Sequence, residues 1–294
     1  NKIVDNPDYL LFDDLIYLNK AKIEHKQFSN ILDDFTKQNC LEVTTLLLDT
    51  LKIESARKEL IQDCIKLEET HYQKINQETK KYLFNCDPKD LIHTLLTGGD
   101  NVFKYPLPNL LFTRDIATVV GNLIVINWSS KNVRKRENLI AKNIFKHHHL
   151  FKNMPLFVFN ENNENCSVEG GDITVFNEKI ICIGISERTN KQSISKLTNL
   201  FFKQGFETVF AIELPQKRAL MHLDTIFTSI SNEEALIYPP LLDEEKNLVQ
   251  TYILRQGMDI EKTKPSSKNI IKLFKNENIY INPIKCGGNN LLNQ

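Results

Sequence analysis

Ser167-Val168-Glu169-Gly170-Gly171-Asp172 sets two carboxylates, Glu169 and Asp172, on either side of a Gly-Gly step. An alternating apolar run follows, Ile173-Thr174-Val175-Phe176, then a polar turn and a second run, Ile180-Ile181-Cys182-Ile183. Two such runs joined by a polar turn predict a β-hairpin. Glycine tolerates close approach that other residues do not. The stretch therefore reads as two acids at the mouth of a hairpin, with no side chain between them to block a ligand.

The pattern recurs. Thr113-Arg114-Asp115 precedes Ile116–Val120, a Gly121-Asn122 turn and Leu123–Ile126. His222-Leu223-Asp224 precedes Thr225–Ile230, a polar turn at residues 231–234 and Ala235–Tyr238. Three times an acid opens a hairpin, at a spacing of roughly 50 to 60 residues, which suggests a repeated supersecondary unit arranged about an axis. Asp115, Asp172 and Asp224 would then face one central site.

The 294 residues suffice for one large domain or two ordinary ones. Lys plus Arg and Asp plus Glu number 37 each, for zero formal net charge, so the basic excess that nucleic-acid binding needs is missing. No apolar run approaches the ~20 residues of a membrane span. Asn1 to Asp8 is polar and unlike a signal peptide. Cys40, Cys64, Cys86, Cys166, Cys182 and Cys286 are scattered with no CxxC spacing, so reduced thiols in a cytoplasmic protein are expected.

In chain order, Tyr9–Phe12 and Leu15–Leu18 flank Asp13-Asp14 and predict a strand interrupted or edged by acids. Phe28, Ile31, Leu32 and Phe35 form the apolar stripe of a helix from about Lys20 to Lys37. Val43–Leu48 predicts a short buried strand. From Asp49 to Gly99 the spacing turns helical through Ile53, Ala56, Leu60, Cys64 and Leu67. The last helix starts at Asp87-Pro88 and stops at Gly98-Gly99. His71 and His93 are lone helical histidines of the surface or packing kind. His147-His148-His149 are consecutive and point in different directions, whereas metal-ligand pairs sit at i,i+2 on a strand or i,i+4 on a helix, so no metal site is expected there. Helices are predicted at Val133–Lys146, Lys191–Gln204, Asp243–Arg255 and Ser267–Asn276, with strands at Thr208–Ile212 and Tyr280–Ile284.

Carboxylates converging with a histidine and arginines suit a small cation that also bears an anionic group. Paired carboxylates grip a planar guanidinium by charge-assisted hydrogen bonds. Buried together, acids need a cation to neutralise them. His222, two positions before Asp224, would share its side on a strand and could shuttle a proton. Arg188, after the second hairpin, and Arg134 or Arg136, after the first, could hold a carboxylate, or could be surface arginines in helix-initiating loops.

Asn109–Asp115 in the run from Pro108, Val168–Asp172, Ser186–Thr189 and Met221–Thr225 together resemble the arginine deiminases of the guanidine-modifying superfamily, with Tyr9–Asp14 and Arg136–Leu139 also fitting. The likeness runs in order over almost the whole chain. It implies an α/β fold, a pentein α/β-propeller of pseudo-symmetric ββαβ modules with a helical-bundle insertion. Residues 1–48 would then be a partial first module, 49–99 the insertion and 100–294 the remaining modules, the last incomplete. The implied reaction hydrolyses L-arginine to citrulline and ammonia through a cysteine thiouronium, with no metal or cofactor. Asp115 and Asp224 would grip the guanidinium, assisted by Glu169 and by His222 as general acid/base. Asn109, Arg134 and Arg188 would hold the amino-acid end, Phe112 would pack on the stem, and Asp172 would support the grip or the fold. The nucleophile is expected beyond residue 294, Cys286 being the other candidate, and the chain alone is expected to be inactive. The resemblance admits a homo-oligomer. An amidinotransferase and a non-catalytic guanidine-binding homologue are the rival readings.

Overall fold

The computed structural model describes residues 8–11, 16–159, 165–243, 245 and 247–286. It is a mixed α/β fold whose chain divides into two compact units, Asn1–Leu111 with Asn132–Asn153, and Phe112–Lys131 with Met154–Gln294.

The first unit is helical: α1 (Leu18–Thr36), α2 (Val43–Leu51), α3 (Glu54–His71), α4 (Gln77–Asn85), α5 (Pro88–Thr97) and α6 (Lys135–His147). Helix α5 has the ends its sequence calls for. Asp87 accepts from the Lys89 amide, Pro88 opens the first turn, and Gly98 closes it at φ +86°, where a side chain would be strained. Helix α2 replaces the strand expected from Val43 on. Leu47 and Leu51 lie one turn apart and bury together as α2 packs on α3, α5 and α6, so tertiary packing overrides the β-branched start. Ala56, Leu60, Cys64 and Leu67 of α3 are buried as their spacing predicts. The α6 stripe of Leu139, Ile140 and Ile144 is buried too, and Asn143 donates to the Ala56 carbonyl (2.8 Å).

The expected stripe on α1 behaves differently. Phe28, Ile31, Leu32 and Phe35 are exposed, while Ser29 is buried. Helical spacing places residues on one face but does not say what covers it. Residues 8–11 form a turn and Leu18 begins a helix, so neither described end of the expected strand belongs to a sheet; residues 12–15 lie outside the described residues.

The second unit carries three sheets: β1 (Ala117–Val120), β2 (Leu123–Ile126) and β3 (Leu156–Val158); β4 (Ile173–Val175), β5 (Ile180–Ile185), β6 (Thr208–Glu213) and β9 (Thr251–Leu254); β7 (Phe227–Ser229), β8 (Glu234–Ile237) and β10 (Asn282–Lys285). Each begins with an antiparallel hairpin, β1–β2, β4–β5 or β7–β8, and adds a parallel strand to its second member, β3, β6 or β10. A helix intervenes in the chain each time: α6, α7 (Lys191–Lys203) and α8 (Ile270–Asn276). The ββαβ order is thus present three times. Strand β9 stands where a helix was expected between Asp243 and Arg255. Thr251-Tyr252-Ile253-Leu254 is β-branched and aromatic, and it extends the sheet at β6 with Val209 opposite Leu254.

The core of this unit is apolar and rich in phenylalanine. Phe274 of α8 is fully buried among Phe176, Phe210 and Phe227, with ring centroids 5.3, 4.9 and 6.0 Å away. Phe274→Ala is expected to lower stability by roughly 3–5 kcal/mol, since the surrounding rings can only partly collapse into the void. Denaturant titration reads this directly, and a loss under about 1 kcal/mol would show that the cluster does not hold α8.

Candidate active site

Each hairpin acid sits on a helical turn just ahead of its first strand. Asp115 lies in the turn Thr113–Ile116, Asp172 closes the 3-10 turn Gly170–Asp172, and Asp224 lies in the 3-10 turn Leu223–Thr225. His222 is the residue before that last turn, with extended backbone. Its side chain therefore does not owe its direction to strand alternation, as the sequence suggested. The turn brings it beside Asp224 by another route.

Among the described residues of the second unit, Asp115, Glu169 and His222 converge, each buried, with one ligating atom apiece within 4.8 Å of one another. His222 Nε2 lies 2.9 Å from Glu169 Oε2, and its Nδ1 lies 3.9 Å from Asp115 Oδ1. Asp115 Oδ1 also accepts from the Gly171 amide (3.3 Å). Gly171 makes this closeness achievable. A Cβ there would lie 2.6 Å from His222 Nδ1 and 3.0 Å from Asp224 Oδ2. The Gly-Gly step thus makes room for the site's own imidazole and carboxylate, a more specific task than leaving space for a ligand.

Asp172 has another place. It is fully buried, accepting from the Ser186 hydroxyl (2.6 Å) and the Leu223 amide (2.9 Å). It ties the third acid turn to the loop after β5, and a Cβ at Gly184 would collide with its Oδ1. The expected three-fold equivalence is therefore broken: Asp115 and Asp224 flank the Gly171 step, while Asp172 anchors the turns behind it. Ser186 also accepts from the amides of Arg188 and Thr189, and the Thr189 hydroxyl accepts from the Glu169 amide.

Arg188 is buried and pairs with carboxylates, Nη1 with Glu169 Oε2 (3.4 Å) and Nε with Glu187 Oε1 (3.0 Å). Arg114, which the sequence reading gave no role, donates to the Ile173 carbonyl (2.8 Å) and places Nε 3.8 Å from Asp224 Oδ2. Phe112 is exposed ahead of the first acid turn. Asn109 and Arg134 belong to the first unit. There the Arg134 Nε donates to Glu137 Oε2 (3.0 Å), and the Asn109 amide donates to Glu137 Oε1 (3.1 Å). Arg136, the other arginine weighed after the first hairpin, is a packing residue. It donates to the carbonyls of Leu95 and Tyr105, and its guanidinium carbon lies 4.4 Å from the centre of the Phe103 ring.

Burial pushes Asp172 up to about 7, against the opposing pull of His222 and its hydrogen bonds. Burial likewise raises Asp224, with His222 and Arg114 holding it down and Asp115 pushing it further up. For His222, burial favours the neutral ring, but the hydrogen bond to Glu169 and the charges of Asp172, Asp115 and Glu169 prevail and raise it. The site is electron-rich and short of positive charge. Asp115, Glu169 and His222 could by donor count share a metal ion, but a histidine that favours its proton competes against one.

The arginine deiminase family profile matches residues 8–104 and 89–294. Curated arginine deiminases align along nearly all of the chain. That of Bacillus cytotoxicus is 31% identical over 97% of this chain and 76% of its own length. That of Latilactobacillus sakei subsp. sakei is 33% identical over 95% and 73%. The chain belongs to the arginine deiminase family. Solved structures align more partially. DDAH from Pseudomonas aeruginosa, complexed with citrulline, covers 45% of this chain and 47% of its own at 19% identity and TM-score 0.37. The N-terminal domain of ArgZ, a cyanobacterial arginine dihydrolase bound to substrate, covers 48% of each chain at 22% identity and TM-score 0.39. Likenesses this weak bear on neither fold nor site.

Four of the stretches that carry the resemblance lie on the acid turns and the loop after β5, and within them Ser186, Thr189 and Arg114 have no expected role of their own. The signal for Ser186 and Thr189 was local: hydroxyls beside a glutamate and an arginine in a loop, the residues that satisfy backbone amides. Two of the shifts above have the same consequence. Asp172, raised from 3.8 to about 7, contributes stability that is complete below about pH 3.8 and lost as pH rises through about 7. The raised His222 contributes fully below its ordinary 6.5 and loses that contribution as pH rises through its folded value. The thermal midpoint should therefore fall between about pH 5 and about pH 8, and fall less in Asp172→Asn. An equal fall in both would remove Asp172 from this account.

Proposed function

We propose that the acid–histidine cluster binds the guanidinium of L-arginine and supports its hydrolysis to citrulline and ammonia. The observation that carries this reading is the convergence of Asp115, Glu169 and His222, with Asp224 at the Gly171 step. A planar cation with five N–H donors satisfies such a set, and its charge offsets the excess of carboxylate. In this proposal Asp115 and Asp224 take the guanidinium edges, and Glu169 fixes the imidazole and bonds to the substrate. Asn109, Arg134 and Arg188 hold the α-carboxylate end, Phe112 packs on the aliphatic stem, and Asp172 keeps the turns in register.

The chemistry follows from that placement. A thiolate adds to the guanidinium carbon, and the C–N bond breaks as His222 gives its proton to the departing ammonia. Neutral His222 then takes one proton from water, whose oxygen attacks the thiouronium carbon; the carbon–sulfur bond breaks to return the thiolate, and the proton left on the new oxygen passes to the released ammonia as citrulline leaves. Cys182 does not suit the nucleophile's part, since burial in β5 pushes its thiol up. In the same proposal the three ββαβ sheets are blades of an α/β-propeller, the closed form of the pentein fold, with the acid turns at its centre.

Asp115→Ala and Asp224→Ala should each weaken L-arginine binding by roughly 2–5 kcal/mol, at least about thirtyfold, because each leaves the guanidinium short of one counter-charge. Circular dichroism should remain native. Calorimetric affinities within about twofold of the unsubstituted protein in both variants would remove the grip, and with it this function.

A further inference from the structure

Glu137 carries no role in the functional reading, yet it is the most enclosed charged side chain near the residues assigned to the amino-acid end of the substrate. It lies in the first turn of α6, where the helix N-terminus favours negative charge. It is fully buried, and each of its oxygens meets a different assigned residue. Oε2 accepts from Arg134 Nε at 3.0 Å, three positions back, and Oε1 accepts from the backbone amide of Asn109 at 3.1 Å, across 28 residues of chain. Arg134 Nη2 closes the loop on the Asn109 carbonyl at 3.4 Å, and the Asn109 side-chain amide donates to the carbonyl of Leu10 at 3.2 Å. Arg134, Asn109 and Glu137 are all buried.

We infer that Glu137 is the positioning residue of the carboxylate-binding end of the site, fixing Arg134 and Asn109 in one geometry before the substrate arrives. This rests on the reading of Arg134 and Asn109 as the groups that hold the amino-acid end of arginine. A guanidinium on three methylenes samples many rotamers, and ordering it when ligand binds would weaken affinity. A carboxylate on its Nε edge sets the plane of the fork in advance. Holding Asn109 through its main chain leaves the choice of side chain at 109 independent of the clamp. The two oxygens are needed together: an amide offers one acceptor and turns a donor towards the other N–H.

The test compares L-arginine with agmatine, which has the same guanidinium and stem but no α-carboxylate. Affinities are measured by calorimetry on the whole chain, unsubstituted and as Glu137→Gln and Glu137→Asp, with thermal midpoints as the folding control. Glu137→Gln should weaken L-arginine by about tenfold to a hundredfold, the effect of removing a charged acceptor, and change agmatine by less than about threefold. Glu137→Asp keeps two charged oxygens on a shorter stem and should recover part of the arginine affinity. An equal loss for both ligands would mean that Glu137 only stabilises the fold, and unchanged arginine affinity would mean that it positions nothing. Either result overturns the inference while leaving arginine binding intact. If the unsubstituted protein binds neither ligand, the functional reading falls first and this inference falls with it.

Discussion

Four carboxylates share the neighbourhood of one imidazole, and the second unit is arranged around that fact. Glu169 and Asp172 are fully buried, Asp115 nearly so, and Asp224 lies beside the Arg114 guanidinium. Enclosing acids at this density is unfavourable unless positive charge or directed hydrogen bonds meet them. The fold supplies both in part. Arg188 and His222 reach Glu169, and Ser186 and the Leu223 amide reach Asp172. What remains is a site whose histidine and whose Asp224 both hold protons more readily than usual. A cationic ligand removes that imbalance.

The ββαβ order explains how sequence-distant acids come together. Each hairpin is entered through a helical turn, and the acid is carried on that turn rather than on the strand. Turns of this kind expose amides as well as side chains, which is how Gly171 can donate to Asp115 and Leu223 to Asp172. The cross-turn bonds make the three entries mutually dependent. Gly170 and Gly171 permit the approach; a Cβ at Gly170 would meet the Arg114 carbonyl and the Thr118 hydroxyl. The helical unit meets its buried charges by similar means. Arg136 is held by two carbonyls and an aromatic face, and the half-buried Glu59 gathers Lys142, Lys146 and His147, whose hydrogen bonds hold its carboxyl at about 2 against partial desolvation.

The hairpins were legible because period-2 runs around Gly121-Asn122 and two polar turns have little other meaning. The helices Pro88–Thr97 and Lys191–Lys203 were legible from their helical apolar spacing, the first also from its Asp-Pro start and Gly-Gly stop. Val43–Leu48, expected as strand, is helical and Thr251–Leu254, expected as helix, is strand, since a short apolar run fits either and its neighbours decide. The exposed stripe at Phe28, Ile31, Leu32 and Phe35 shows the converse, a pattern whose covering is not encoded in its own spacing. Within the site, the acids and His222 stood out by position. Glu137 and Ser186 did not, because an i,i+3 ion pair or a loop hydroxyl looks the same on a surface as in a buried clamp. Arg134 and Arg136 became distinguishable only through their partners.

The central claim is that His222 and Asp224 hold protons more readily than usual for want of a cation, and that arginine supplies the missing charge. Proton exchange on binding tests it most directly. Calorimetric titration of L-arginine at about neutral pH, repeated in buffers of different ionisation enthalpy, gives the number of protons moved. A guanidinium entering beside Asp224 favours its ionised form, so binding should release protons to the buffer. Binding with no proton exchange, or with net uptake, would contradict the account.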